Sequence, residues 1–298
     1  MTGDTILLEV KSDDFARYQK FCSMYNLSAV DCFGYFMDWL NIFDLKTADD
    51  TEMPGVSHQF IRAAELGDTD AQYELGMYYM SGIHVGVDLE KAVFWLEKVA
   101  EKGYAKAQFQ AGMCYYLDYG DVLEFGRCAY WFAQAAEQGH AEAQYALGTC
   151  YETGYGVTQS YADAVVWYKK AAEQGNAKAQ GNLGYCYYNG FGVAMDYKLA
   201  AEWYGKAAEQ GNVSAMHNLG CCYFAGEGVK ADITKAVALW RAAAEEGFDR
   251  SQYELGICYC LGEGVQQDYA EGLKWLRMAA RQGHAMAQSA LTSLGEKW

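Results

Sequence analysis

Proline occurs once in this chain of 298 residues, at Pro54. Basic residues are also scarce: 23 Lys and Arg face 39 Asp and Glu, a net charge of −16. Such a balance repels phosphate backbones and anionic lipid surfaces, so it argues against nucleic acid and membrane partners. No apolar run reaches the roughly 18–20 residues of a bilayer-spanning helix. The start, Met1-Thr2-Gly3-Asp4, lacks the basic residues and apolar stretch of a secretion signal. The expected location is cytoplasmic, with signal-independent export left open. Catalytic signatures are missing too: there is no S-x-x-K, no G-x-S-x-G and no H-E-x-x-H. The GEGV segments Gly226–Val229 and Gly262–Val265 follow no strand and so are not phosphate loops. His58, His84, His140, His217 and His284 are scattered, and the shared position of His140 and His284 reads as a solvated connector. No catalytic residue, metal site or cofactor is expected, and the chain does not read as an enzyme.

What is abundant is glycine at a fixed period. Gly76, Gly112, Gly148, Gly184, Gly220 and Gly256 lie 36 residues apart. A second ladder from Gly67 through Gly103, Gly139, Gly175, Gly211 and Gly247 to Gly283 keeps the same spacing. A period of this length is the mark of a stacked helical array. Five of the ten cysteines obey it as well: Cys114, Cys150, Cys186, Cys222 and Cys258 share one repeat position. Equivalent helices in a stack lie about 8–10 Å apart, beyond the ~7 Å Cα separation a disulfide tolerates. The expectation is buried apolar thiols rather than bridges or zinc ligands.

One copy shows the local structure. In residues 176–197 Ala179, Leu183, Cys186 and Gly190 form one helical stripe, and Gln180, Gly184 and Tyr187 a second. Two small or apolar stripes predict a helix packed on two sides. Gly184 forfeits about 1 kcal/mol of helix propensity, which makes sense if a neighbour comes too close for a Cβ. Gly190-Phe191-Gly192-Val193 turns the chain, Asp196 caps the next helix, and Gly211 stops it in a left-handed cap. Trp203 recurs as Trp95, Trp131, Trp167 and Trp275, with Leu239 in the fifth copy and Trp240 beside it.

The pattern A-x-A-Q-x-x-L-G-x-x-Y-x-x-G-x-G-V, then A-x-x-W-Y-x-K-A-A-E-Q-G, resembles the Sel1-like repeat, a relative of the tetratricopeptide repeat. The resemblance covers about residues 57–298 and departs at Ala111, at Gly82–Gly86 and at Asp118–Asp121. It implies an all-α fold, a right-handed α-solenoid of six helix-turn-helix repeats, with half-repeats at Val56–Leu66 and Ala285–Leu294 as caps. Secreted cysteine-rich members pair a first-helix Cys with a second-helix Cys. Here Ala171-Ala172 and Ala207-Ala208 stand at the partner positions, which favours a reducing compartment.

In related families one face of the first helix lines a concave groove that holds peptides. By this resemblance the groove here comprises Tyr73, Met77, Phe109, Met113, Tyr116, Tyr145, Tyr185, Tyr188, His217, Phe224 and Tyr253. Aromatic and methionine side chains make adaptable contact surface, so a protein or peptide partner is expected.

Residues 1–50 do not share the period. The segment Thr5–Val10 reads as a strand, followed by helices capped at Asp13 or Asp14 and at Ser28. This order resembles the ribbon-helix-helix fold, which implies a homodimer through residues 1–45, with Ile6, Leu8 and Val10 on one strand face; the other reading of residues 1–45 is a docking segment that caps the first repeat. Glu9 and a net charge of −5 over residues 1–50, four basic against nine acidic, oppose DNA reading. Residues 46–55, with Pro54, form the expected linker to the repeats at 56–298. The chain thus reads as an interaction scaffold. The alternative is a transcriptional regulator or antitoxin-like protein that uses its N-terminal segment.

Overall fold

A computed structural model describes Val56 and residues 58–83, 86–117 and 122–298. The expected ribbon-helix-helix segment, with Ile6, Leu8 and Val10, and the linker at 46–55 lie outside the described residues. Within them the chain is all-α, with fourteen helices and no strand. The described residues fall into two compact units, divided between Ala135 and Ala136.

In the first unit α1 (His58–Glu65) packs on α2 (Thr69–Ser81), α2 on α3 (Leu89–Ala100), and α3 on α4 (Ala105–Leu117); α5 begins at Val122 and ends at Glu137. In the second unit the order is α6 (Ala141–Thr153), α7 (Tyr161–Glu173), α8 (Ala177–Asn189), α9 (Tyr197–Glu209), α10 (Val213–Ala225), α11 (Ile233–Glu245), α12 (Asp249–Leu261), α13 (Tyr269–Arg281) and α14 (Ala285–Ser293). Each packs on its sequence neighbours, as stacked helical hairpins must, and the contact between α8 and α10 ties first helices of successive repeats. Each unit is therefore a helical solenoid. The half-repeats expected at the two ends are α1 and α14, packed on α2 and α13.

The helix boundaries follow from capping chemistry. Asp88, Ser160, Asp196, Asp232 and Asp268 each accept a backbone N–H three residues on, at the start of a second helix. Asp68, Asn176 and Asn212 do the same for first helices. His140 and His284 also cap, with Nδ1 accepting from Ala143 and Ala287 at 3.3 Å. They are helix caps and not the solvated connectors that their shared sequence position suggests. Gly190 ends α8 at φ 72° and Gly211 follows α9 at φ 84°, both left-handed.

Two further devices lock hairpins together. A Cβ on Gly184 would stand 2.7 Å from Tyr204 Cδ1 and 3.2 Å from the Ala200 carbonyl. Gly148 meets Tyr168 in the same way. Only a missing side chain lets the two helices of a repeat approach this closely, which is why glycine sits mid-helix despite its propensity cost. The second device is a buried glutamine ladder. Gln144, Gln180 and Gln252 each donate Nε2 to the carbonyl eight residues earlier, on Ala136, Ala172 and Ala244, at 3.0–3.2 Å. Their Oε1 atoms accept from Gln174, Gln210 and Gln282, 30 residues on, at 2.7–2.8 Å. Burying an amide is tolerable only when both ends are bonded, and here both are.

Candidate binding surface

In residues 56–135 Tyr73, Met77 and Tyr116 are half-buried on their first helices. Phe109 and Met113 are only 6% and 3% exposed. Phe109 packs on Phe132 of α5 with ring centroids 5.7 Å apart. These two residues belong to the interior, against the expectation that they line an open groove.

In residues 136–298 the same rows vary more. Tyr145 is half-buried against Tyr168 at 5.9 Å, and burial raises its phenol above the usual range. Tyr253 stacks on His284 at 4.9 Å. His217 is buried, a second correction to the groove residues. Its ring lies 5.3 Å from Phe248 and Nδ1 sits 3.0 Å from Ser251 Oγ. Burial, helped by the Arg250 charge, lowers the imidazole to about 4. Its Nε2 faces Cys221 Sγ at 3.6 Å. This cluster superficially suggests a cysteine–histidine nucleophile, but burial and the nearby Glu254 carboxylate push the Cys221 thiol up to about 11. It therefore offers no thiolate at neutral pH, and nucleophilic catalysis uses the thiolate.

Solvent meets the first-helix face at α8 and α10. Tyr185 is 45% exposed and Phe224 51% exposed. Tyr185 lies 5.8 Å from Phe191, which stacks on Tyr161 at 5.1 Å. The stack joins the turn after α8 to the start of α7, one repeat earlier. It forms because Gly192, at φ 71°, lies directly against the Tyr161 carbonyl, leaving no room for a Cβ. Tyr161 and Phe191 are absent from the residues expected from sequence. The available signal was an aromatic in the Gly-x-Gly turn where the two following copies carry Glu227 and Glu263.

Tyr188 is half-buried beside this cluster. It lies 5.1 Å from Tyr197, and its hydroxyl donates to Glu227 Oε2 at 2.6 Å. That bond, followed by burial, raises its phenol well above the ordinary value. Lys178 lies on the same face of α8, and burial lowers its ammonium to about 8. Charge along this face is mixed, with Glu142 and Arg250 exposed. No group of three His, Cys, Asp or Glu side chains suited to a metal occurs among the described residues. Nor, among them, is any helix long and apolar enough to cross a membrane.

The Sel1 repeat matches six consecutive segments, residues 69–104, 105–140, 141–176, 177–212, 213–248 and 249–284. No curated protein sequence matches the chain. Among solved structures, a protective antigen present in uropathogenic Escherichia coli strains is 38% identical, with a TM-score of 0.73. That match covers 79% of this chain and 50% of the antigen, so the chain spans about half the antigen's length. A Sel1 repeat protein from Oxalobacter formigenes is 29% identical with a TM-score of 0.62, over 74% of this chain and 95% of that one.

Proposed function

Because the chain belongs to the Sel1 repeat family, whose members generally serve as protein–protein interaction scaffolds, we propose that its own partner is a peptide or protein segment held on the exposed aromatic face of residues 136–298. The observation that carries this reading is the cluster of Tyr161, Tyr185 and Phe191, each 37–45% exposed although the three rings pack on one another. Phe224, one repeat further on and packed on Trp240 at 5.6 Å, is a further exposed ring. Exposed contiguous rings of this kind are characteristic of contact surfaces. Tyr145, Tyr188 and Tyr253 lie on first helices of the same unit as half-buried support.

Affinity purification with wild type and the double variant Tyr185→Ala/Phe224→Ala tests the proposal. Both side chains are solvent-facing, so the variant should keep its fold. At least a tenfold drop in recovery of specific partners is expected, and equal recovery by the two proteins would reject the surface.

Two finer parts of the reading rest on sequence or chemistry alone. A reducing, cytoplasmic setting is supported by Cys150, Cys186, Cys221, Cys222, Cys258 and Cys260, all free thiols. Homodimerisation through Ile6, Leu8 and Val10 is supported by the strand pattern of the N-terminal segment. Equilibrium sedimentation of the full chain should give twice the monomer mass, reverting to one mass for Ile6→Glu/Leu8→Glu. A monomeric wild type would remove the dimer from the proposal.

A further inference from the structure

The fifth repeat, residues 213–248, breaks the internal pattern at four positions, three of which line one groove. Where other copies place the ladder glutamines Gln180 and Gln210, it carries Met216 and Glu246. Where Trp167 and Trp203 lie under Lys170 and Lys206, with ammonium-to-ring distances of 3.7 and 3.9 Å, it carries Leu239 and Ala242. In the copy before it, Trp203 packs back onto the hairpin of α7 and α8. Leu239 packs back in the same way onto α9 and α10, but it is too short to fill the space an indole takes there. The result is an open groove of about 740 Å³ between α9 and α11, with Met216, Leu219 and Tyr223 of α10 in its lining. Gly205 lies on its α9 side, where the two following copies have Arg241 and Arg277. A volume of this size is in the ordinary range for binding sites.

We propose that this groove is a second docking site, distinct from the aromatic first-helix face, for a partner segment that brings an aromatic ring with a basic residue one helical turn beyond it. The segment supplies from outside what the sister repeats supply from within: a ring over Leu239 and a cation over Ala242. The charges around the groove fit that occupant. Glu202 and Glu209 of α9 line it, are exposed, and form no ion pair among the described residues. Glu209 and Ala242 both lie in the last turn of their helices, at the end where the incoming cation would sit. Lys206 and Lys198 also line the groove, but the Lys206 ammonium lies over Trp203 at 3.9 Å, and Lys198 is about three helical turns from Glu209 along α9. The net charge of −16 further favours a basic segment over an acidic one. Rings docked in apolar grooves with a charged rim are a frequent anchor of protein recognition.

A fluorescein-labelled peptide with the sequence of residues 161–173, which contains Trp167 and Lys170, is the probe, read by fluorescence anisotropy against the full chain. Saturable binding to wild type is expected. It should weaken at least tenfold when the peptide carries Trp167→Ala, or when the protein carries Leu239→Trp/Ala242→Lys, which restores the sister pair in place. Gly205→Arg should weaken it similarly. A Cβ added at Gly205 meets nothing within 4 Å, so this variant keeps the test valid even if the double variant folds poorly. Tyr185→Ala/Phe224→Ala should leave the affinity unchanged. The proposal is overturned by absence of saturable binding to wild type, or by equal affinity for wild type and Gly205→Arg. It is equally overturned if the aromatic-face variant loses the peptide, or if sedimentation shows wild-type self-association that Leu239→Trp abolishes, since the occupant would then be a second copy of this chain.

Discussion

Two glycines three residues apart on α8 should respond to the same substitution with opposite signs. At Gly181 the atoms nearest an added Cβ are Asn212 side-chain atoms, 3.6–3.8 Å away, an ordinary contact. Replacing Gly by Ala there gains about 1 kcal/mol of helix propensity. At Gly184 the same Cβ would lie 2.7 and 2.9 Å from two ring carbons of Tyr204 and 3.2 Å from a backbone carbonyl. Tyr204 is only 1% exposed, so its ring has no open space to move into. Overpacking of this kind costs about 1–3 kcal/mol, which the propensity gain offsets only in part. Gly184→Ala should therefore be less stable than Gly181→Ala by about 1–3 kcal/mol, and no more stable than wild type. Repeat arrays often unfold piecewise, so amide exchange in α8 and α9 is the assay, with urea denaturation beside it. Gly184→Ala matching Gly181→Ala in protection would refute the close approach of α8 and α9.

Two other tests address buried chemistry. His217 has a folded pKa of about 4, below its value in the unfolded chain. The unfolded state thus binds the extra proton first, so the contribution is full above about pH 6.5 and is lost as pH falls toward 4. At about 1.4 kcal/mol per unit, the loss is on the order of 3 kcal/mol. His217→Gln should flatten this part of the stability–pH curve, and an unchanged slope would contradict the buried neutral ring. Burial also pushes Cys186 and Cys222 up to about 12 and Cys258 up to about 11. These thiols should react with an aromatic disulfide reagent at pH 8 far more slowly than in denaturant. Equal rates in the two states would show that they are open to solvent.

Much of the architecture can be read directly from the residues. The 36-residue spacing of Gly76 through Gly256 reports a repeated hairpin, and Asp196 and Gly211 mark the ends of α9 because capping is a local interaction. The groove residues are less legible. Periodicity places Phe109, Met113 and Tyr185 on equivalent faces, yet only Tyr185 is exposed. Large rings stand at the same place beside both helices, Phe132 by Phe109 and Tyr204 by α8, so that neighbour alone does not set the difference. Which of these positions is covered is not encoded in either helix alone. The stack of Phe191 on Tyr161 depends on a turn in one repeat touching the helix start of the previous one, which no local window contains. The outer groove left a visible trace in sequence, Leu239 in a tryptophan series, but its depth also required Gly205 and Met216 to be its neighbours.

Hydroxyl-radical footprinting of the full chain, alone and with a captured partner, tests the scaffold account most directly. Free protein should be oxidised readily at Tyr185 and Phe224 and little at Tyr168 and Tyr204, which are almost fully buried. Partner binding should protect Tyr185, Phe191 and Phe224 while leaving the exposed Tyr130 unchanged. Tyr185 and Phe224 already protected in the free chain, or unprotected in the complex, would contradict it.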